Sequence, residues 1–235
     1  MNLILLFKDD FIDENNVRLE GRRLRHILEV HRPVKGDELR VGLEGGLTGP
    51  GRITSITTDS LKMEVSLTDD PPAALPLNLI LALPRPKVLR RVILSVTAMG
   101  VKRIFLINSF RVEKSFWQSP ALGPDSIQKQ LVLGLEQARD TILPEVILRP
   151  FFKPFVEDEM PALIKDTLPL VAHPGATELC PRGVRRPVTL AIGPEGGFIP
   201  YEIDKLMLCG LHAVHLGERI LNIEAVVPSL ISRLL

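Results

Sequence analysis

The 235-residue chain is poor in cysteine and in aromatic residues, and it contains no long apolar run. Its two cysteines, Cys180 and Cys209, stand without a CxxC or a neighbouring histidine pair, so neither a disulfide framework nor a metal site is indicated. No segment approaches the roughly 20 apolar residues that span a bilayer. Leu3-Ile4-Leu5-Leu6-Phe7 runs straight into Lys8-Asp9-Asp10 and reads as a first strand rather than a targeting segment. A cytoplasmic protein without membrane contact is the expectation. An excess of one charge is also lacking. With 29 basic and 28 acidic side chains the net charge is +1, which argues against a protein wrapped in nucleic acid. Hydrophobic content of 45% and charged content of 24% describe a globular chain with enough apolar material for a core.

Charge is nevertheless unevenly spread. Between Ala82 and Trp117 lie Arg85, Lys87, Arg90, Arg91, Lys102, Arg103, Arg111 and Lys114, opposed only by Glu113. That excess fits either a polyanionic partner or a solvated helix face followed by a cationic loop.

Thr68-Asp69-Asp70-Pro71-Pro72-Ala73-Ala74-Leu75-Pro76 has two acids, three prolines and no periodicity, the composition of a linker. It divides the chain into domains 1–72 and 73–235. Upstream, β-favouring runs at Glu38–Val41, Arg52–Ile56 and Leu61–Leu67 alternate with glycine turns and predict a small β-barrel, with one helix over Glu20–Val30. Downstream, apolar strands at Leu77–Leu81, Arg103–Asn108, Glu145–Leu148, Leu168–Ala172, Val188–Ile192 and His212–Leu216 alternate with helical segments. These are expected at Lys87–Met99, Asp125–Arg139, Phe155–Lys165, Tyr201–Cys209 and from Ile223 onward. Such alternation predicts an α/β domain with a mainly parallel sheet covered on both faces.

The most informative segment is Leu190-Ala191-Ile192-Gly193-Pro194-Glu195-Gly196-Gly197-Phe198, an apolar strand running into a glycine-rich loop and then a helix. Open sheets bind ligands beyond the carboxyl ends of their strands, and glycines let a backbone approach a ligand closely. The spacing matches neither GxGxxG nor GxxxxGK[ST], so it does not point to a dinucleotide or a nucleoside triphosphate. A second strand ends alike, in Leu216-Gly217-Glu218-Arg219-Ile220-Leu221-Asn222-Ile223-Glu224, and Val171-Ala172-His173-Pro174-Gly175 offers a third wall. A bulky side chain at Gly196 is expected to block such a pocket.

These residues resemble the RsmE family, ribosomal RNA small subunit methyltransferase E, of the SPOUT superfamily. The Ile-Gly-Pro-Glu-Gly-Gly-Phe loop, Glu202, the Leu-Gly-x-Arg-Ile-Leu segment and Glu224 occur in the family's order and spacing. Glu136-Gln137, Leu143-Pro144-Glu145-Val146 and His173-Pro174 agree as well, and the likeness extends over the whole chain to His26, Arg32 and Gly36. It implies a PUA-like barrel for binding RNA, followed by a SPOUT domain with a C-terminal trefoil knot. It further implies S-adenosylmethionine as cofactor, a homodimer, and methylation of uridine N3 in 16S ribosomal RNA or in the small ribosomal subunit. Cofactor contacts then fall to His173, Ile192, Gly193, Glu195, Gly196, Gly197, Leu216, Gly217, Ile220 and Leu221. The chain departs from the family at Leu221-Asn222-Ile223-Glu224-Ala225, where Leu-Arg-Thr-Glu-Thr is usual.

Methylating N3 requires its proton to leave, so the catalytic tasks are orientation and stabilisation of a base anion. Arg219 is the expected anion-stabilising residue, or else a structural salt bridge. Asn222 is expected at the uridine edge, and Glu224 at the base or at the start of the last helix. His173, His212 and His215 are candidate bases or packed residues. Trp117 and Phe116 either stack on RNA bases or cap an apolar contact. RNA contacts are expected from Arg22, Arg23, Arg25, His26 and Arg32 in the first domain and from Arg85, Arg90 and Arg91 in the second. The same fold acting on another RNA base, or as a non-catalytic ribosome-assembly factor, is the alternative.

Overall fold

In the computed structural model, which describes residues 2–235, the chain forms two compact units. The first holds the residues up to Ala73 together with Val132–Leu143, and the second holds Ala74–Leu131 and Pro144–Leu235. The division is therefore discontinuous. A boundary drawn from composition places Val132–Leu143 wholly in the second domain, because nothing in a linker's composition reports where a distant helix end packs.

The first unit is a five-stranded sheet, β1 (Ile4–Leu6), β2 (Asn16–Leu19), β3 (Glu38–Leu43), β4 (Thr48–Ile56) and β5 (Leu61–Val65), in the order β1-β3-β4-β5-β2. All pairs are antiparallel except β1 with β3. Every strand contributes to one core, which includes Ile4, Leu6, Val17, Leu19, Val41, Ile53, Leu61 and Met63. Alternation in β5, buried at Leu61, Met63 and Val65 and exposed between, gives the period of a one-sided strand. β1 is buried throughout because its other face, with Leu3 and Leu5, packs on Val132 and Leu135. That accounts for the continuous apolar run at the start of the chain.

The helix expected at Glu20–Val30 is α1 (Gly21–His26) widened into a π-turn at Ile27–His31 and stopped by Arg32, whose φ of 45° is left-handed. The expected linker is shorter than its composition suggests. Thr48 and Asp69 exchange backbone hydrogen bonds at 2.8 and 2.9 Å, so Thr68 and Asp69 complete the sheet.

The second unit is a seven-stranded, wholly parallel sheet of β6 (Leu75–Ala82), β7 (Val101–Ile107), β8 (Glu145–Arg149), β9 (Leu168–Ala172), β10 (Glu178–Leu179), β11 (Val188–Ile192) and β12 (His212–His215). Its order is β10-β12-β9-β11-β6-β7-β8. β11 is buried at every residue, as a central strand covered on both faces must be. Helices α2 (Pro86–Ala98), α3 (Pro124–Ala138), α4 (Phe152–Pro154), α5 (Met160–Ile164), α6 (Pro200–Leu208) and α7 (Ile223–Leu234) connect or follow the strands. The predicted helix over Phe155–Lys165 is interrupted by a π-turn at Phe155–Glu159.

α7 packs on α2, burying Val227, Leu230, Ile231 and Leu234 within the subunit. The apolar stretch at Val226–Ile231 therefore does not by itself call for a second copy. The short strand β10, absent from the expected elements, pairs Glu178 and Leu179 with Val214 and His215. Its exposed two-residue length leaves no sequence pattern to read.

Candidate functional site

Three neighbouring strands set the site. In the parallel register Ala172 of β9 lies opposite both Ile192 of β11 and Val214 of β12. The loops that follow, beginning at His173, Gly193 and Leu216, consequently leave the same edge of the sheet side by side. Parallel strands that lie apart in sequence place their carboxyl ends together, and those ends are where open sheets bind ligands.

The loops enclose a cavity of about 600 Å³. Its lining includes all ten of the cofactor residues expected from the sequence: His173, Ile192, Gly193, Glu195, Gly196, Gly197, Leu216, Gly217, Ile220 and Leu221. Ile192, Leu216, Leu221, Ile223, Val226 and Leu230 make part of the wall apolar, while loop backbone supplies donors and acceptors. The site was legible as two glycine-bearing strand ends. Arg111, which also lines it, was named only within the cationic stretch, since its partner Gly196 is 85 residues away.

The glycines differ in what they permit. A Cβ on Gly193 would meet the Phe198 backbone nitrogen at 2.9 Å and the Gly197 carbonyl carbon at 3.2 Å, so the loop would have to open. Gly197 has φ of 73°, in the left-handed region. Gly196 is unlike either: its φ is not positive, and a Cβ there would touch the flexible stem of Arg111, at 2.9 Å from Cδ. Gly196 lines the cavity, so a bulkier side chain there is still expected to enter it, while Gly193 is the glycine whose Cβ would meet the loop backbone.

Side chains lock the loops from outside. Glu195 Oε1 accepts the Arg85 backbone N–H at 3.0 Å, tying the glycine loop to the start of α2. Glu202, 3% exposed, accepts the Phe110 N–H at 2.7 Å and the Ile199 N–H at 3.0 Å. The Gly217 N–H donates to His215 Nδ1 at 3.1 Å, so that nitrogen is an acceptor and the imidazole is held by the loop that comes after it.

Of the expected catalytic residues, Arg219 and Asn222 line the cavity and Glu224 does not. Arg219 lines the cavity, exposed and without an ion pair among the described residues, in a stretch that has no regular structure. The alternative of a structural salt bridge inside the fold therefore finds no partner. Asn222 Oδ1 is occupied as the N-cap of α7, accepting the Ala225 N–H at 2.9 Å, a role Asn fills well and one that removes its acceptor from a base. Glu224 lies in the first turn of α7, one of its two expected places, and pairs with Arg91 at 2.9 Å, both beside Ser95 and Val227 on α2 and α7. Arg91 makes this ion pair with its side chain 72% exposed. Trp117 is partly buried and donates its indole N–H to Asn108 Oδ1 at 3.0 Å. The exposed ring of this region is Phe110, at 78%.

Among the other RNA candidates, Arg85 and Arg90 are exposed on the second unit, and Arg22, Arg25 and Arg32 on the first. Arg23 is not a free cation. Its guanidinium grips both oxygens of Asp10 and the Leu5 carbonyl, with Asp10 Oδ1 at 2.6 Å. His26 is half-buried, and desolvation, with Arg22 and His31 nearby, pushes its pKa down. Its Nε2 has no hydrogen-bond partner among the described residues.

Residues 71–235 match the family model described as the RNA methyltransferase domain. Ribosomal RNA small subunit methyltransferase E of Treponema pallidum is 29% identical over 95% of this chain and 86% of its own length. The Synechocystis protein of the same name is 26% identical over 93% of this chain and 72% of its own. In structure, ribosomal RNA small subunit methyltransferase E of Neisseria gonorrhoeae, solved bound to S-adenosylmethionine, superposes with a TM-score of 0.74 at 21% identity, over 98% of this chain and 95% of that one. With its glycine-loop cavity at the carboxyl ends of three adjacent parallel strands and a matching domain model over most of its length, the chain belongs to the RNA methyltransferase family.

Proposed function

We propose that the protein binds S-adenosylmethionine in the cavity between the His173, Gly193 and Leu216 loops and methylates N3 of a uridine in 16S ribosomal RNA. The observation that carries the cofactor half is the cavity itself: about 600 Å³ is within the range of roughly 300–1,000 Å³ typical of small-molecule sites. Apolar walls at Ile192, Leu216 and Val226 suit an adenine ring, and the Gly193 turn, which has no room for a Cβ against Phe198, fixes the loop that lines the cavity. When bound, that cofactor supplies an activated methyl group. The protein's own groups hold and orient the reactants and exclude water. Support for small-subunit ribosomal RNA comes from the names of the relatives, and uridine N3 rests on the likeness of the loops to the RsmE family.

The same reading includes a knot and a PUA-like first unit. Gly183 and Val184 donate backbone N–H bonds to the Arg233 and Leu234 carbonyls at 3.2 and 2.5 Å, and Arg233 Nε donates to the Cys180 carbonyl at 2.6 Å. These bonds tie the chain end to the 180–184 connection, and the knotted path itself rests on the likeness to the family. A homodimer is also part of the reading. Its contact would fall on the face of α7 turned away from α2, where Ser229 and Ser232 are exposed.

Incubating the protein with methyl-labelled cofactor and ribosomal RNA lacking the modification tests the proposal, with nucleoside analysis of the product. Label recovered as 3-methyluridine is the expected result. Label on another base would move the target, and none at all would leave a non-catalytic RNA-binding protein. Among the described residues no helix is long and apolar enough to cross a membrane.

A further inference from the structure

We infer that Arg111 is a catalytic residue of this site, its guanidinium being the fixed positive charge that meets the uridine anion during methyl transfer. The inference rests on the uridine-N3 reading of the pocket.

Two cations line the cavity, Arg111 and Arg219. They differ in how firmly they are held. Arg219 is flanked by exposed Glu218 and by Ile220 at 84% exposure, and no hydrogen bond fixes its side chain. The backbone of Arg111 is anchored on both sides, and its exposed side chain is held by one hydrogen bond. The residue before it donates its N–H to buried Glu202, and the residue after it, Val112, is 7% exposed and closes a turn through its N–H to the Ser109 carbonyl at 3.0 Å. Its own Nη1 donates to the Gly196 carbonyl, and its stem lies across Gly196 where a side chain would otherwise be. The glycine loop does not need that bond for its shape, because the Gly197 N–H already closes a turn to the Pro194 carbonyl at 2.7 Å. The bond instead aims the guanidinium. Among the described residues no carboxylate pairs with it, while Glu195, the loop's own acid, is tied to the Arg85 N–H.

A donor that is oriented before the reaction stabilises developing charge far better than one that must reorganise. In the step itself the N3–H bond breaks and its proton leaves to solvent, placing negative charge on N3 and the flanking carbonyl oxygens. The N3 electron pair then forms the N–CH₃ bond as the C–S bond breaks, and that pair stays on sulfur. The remaining N–H groups of Arg111 are the donors placed to meet the anion. Phe110, exposed on the adjacent residue, adds an aromatic face to the same segment.

The test uses the full chain as wild type, Arg111→Met and Arg111→Lys. Methionine keeps an apolar stem over Gly196 without charge. Expected for Arg111→Met are S-adenosylhomocysteine affinity within about twofold of wild type and single-turnover methyl transfer slower by about 10²-fold. The rising limb of its pH–rate profile should move to higher pH, since a uridine without its cation gives up the proton less readily. Lysine should recover part of the rate and return the limb toward wild type. A parallel fall in cofactor affinity and rate with an unmoved pH profile would make Arg111 only a loop clamp and overturn the inference. Wild type that forms 3-methyluridine while Arg111→Met matches it defeats this inference alone. Wild type that places no methyl group on uridine N3 defeats the reading and this inference with it.

Discussion

Glu202 holds Phe110: from the first turn of α6 its carboxylate accepts the Phe110 N–H at 2.7 Å while its second oxygen accepts the Ile199 N–H at 3.0 Å. One buried side chain thereby joins the start of α6, just beyond the glycine loop, to the segment carrying Arg111. Its removal should act on both stability and catalysis. Glu202→Ala leaves two amides without their acceptor and should cost about 2–3 kcal/mol of unfolding free energy, with Glu202→Gln, which retains one oxygen, losing less. Chemical denaturation of the pair measures it, and equal stability of Glu202→Ala and wild type would show that the contact is dispensable.

The glycine loop gives a graded prediction. Gly193→Ala must displace backbone at Phe198 and should weaken S-adenosylhomocysteine binding at least about tenfold, whereas Gly196→Ala only pushes aside the Arg111 stem and should stay within about threefold. Isothermal calorimetry on the two variants decides. The reverse ranking would mean the ligand contacts Gly196 and not the Gly193 turn.

Glu136 supplies a pH dependence in the first unit. Burial pushes its carboxyl pKa above the ordinary value near 4.5, against the opposing pull of Arg22, of the Leu5 backbone N–H and of Arg23. A carboxyl raised on folding stabilises the fold fully below its unfolded pKa and loses that contribution as pH rises through its folded one. Glu136→Gln should therefore be more stable than wild type at neutral pH, and the difference should vanish below about pH 4. Urea unfolding across pH checks the sign. A variant less stable than wild type at pH 7 would mean that the Arg22 ion pair, at 3.4 Å, outweighs the burial.

Arginines of the first unit should separate into structural and RNA-facing groups. Arg23→Ala breaks a mostly buried pair with Asp10 and should cost about 3 kcal/mol. Arg25→Ala with Arg32→Ala should change stability by about 0.5 kcal/mol or less, yet weaken RNA binding and flatten its salt dependence. Filter binding at several salt concentrations provides the second measurement. An unchanged salt slope would make Arg25 and Arg32 ordinary solvated surface.

Much of this protein was legible without coordinates because hydrophobic period and glycine position are local signals. Leu168–Ala172 and Val188–Ile192 lie where their apolar runs put them, and the glycine-bearing ends of β11 and β12 mark the cavity wall. Local pattern also placed α2 and α7, whose apolar faces recur at helical spacing. Tertiary structure alone decided what depends on distant partners. It turned Asn222 into a helix cap, committed Glu224 to Arg91 and Arg23 to Asp10, and drew Val132–Leu143 into the first unit. It also set Arg111 against Gly196, across 85 residues of sequence. A side chain's type limits which bonds it can make, but which bond it does make depends on the group folding brings within about 3 Å, and no local pattern carries that information.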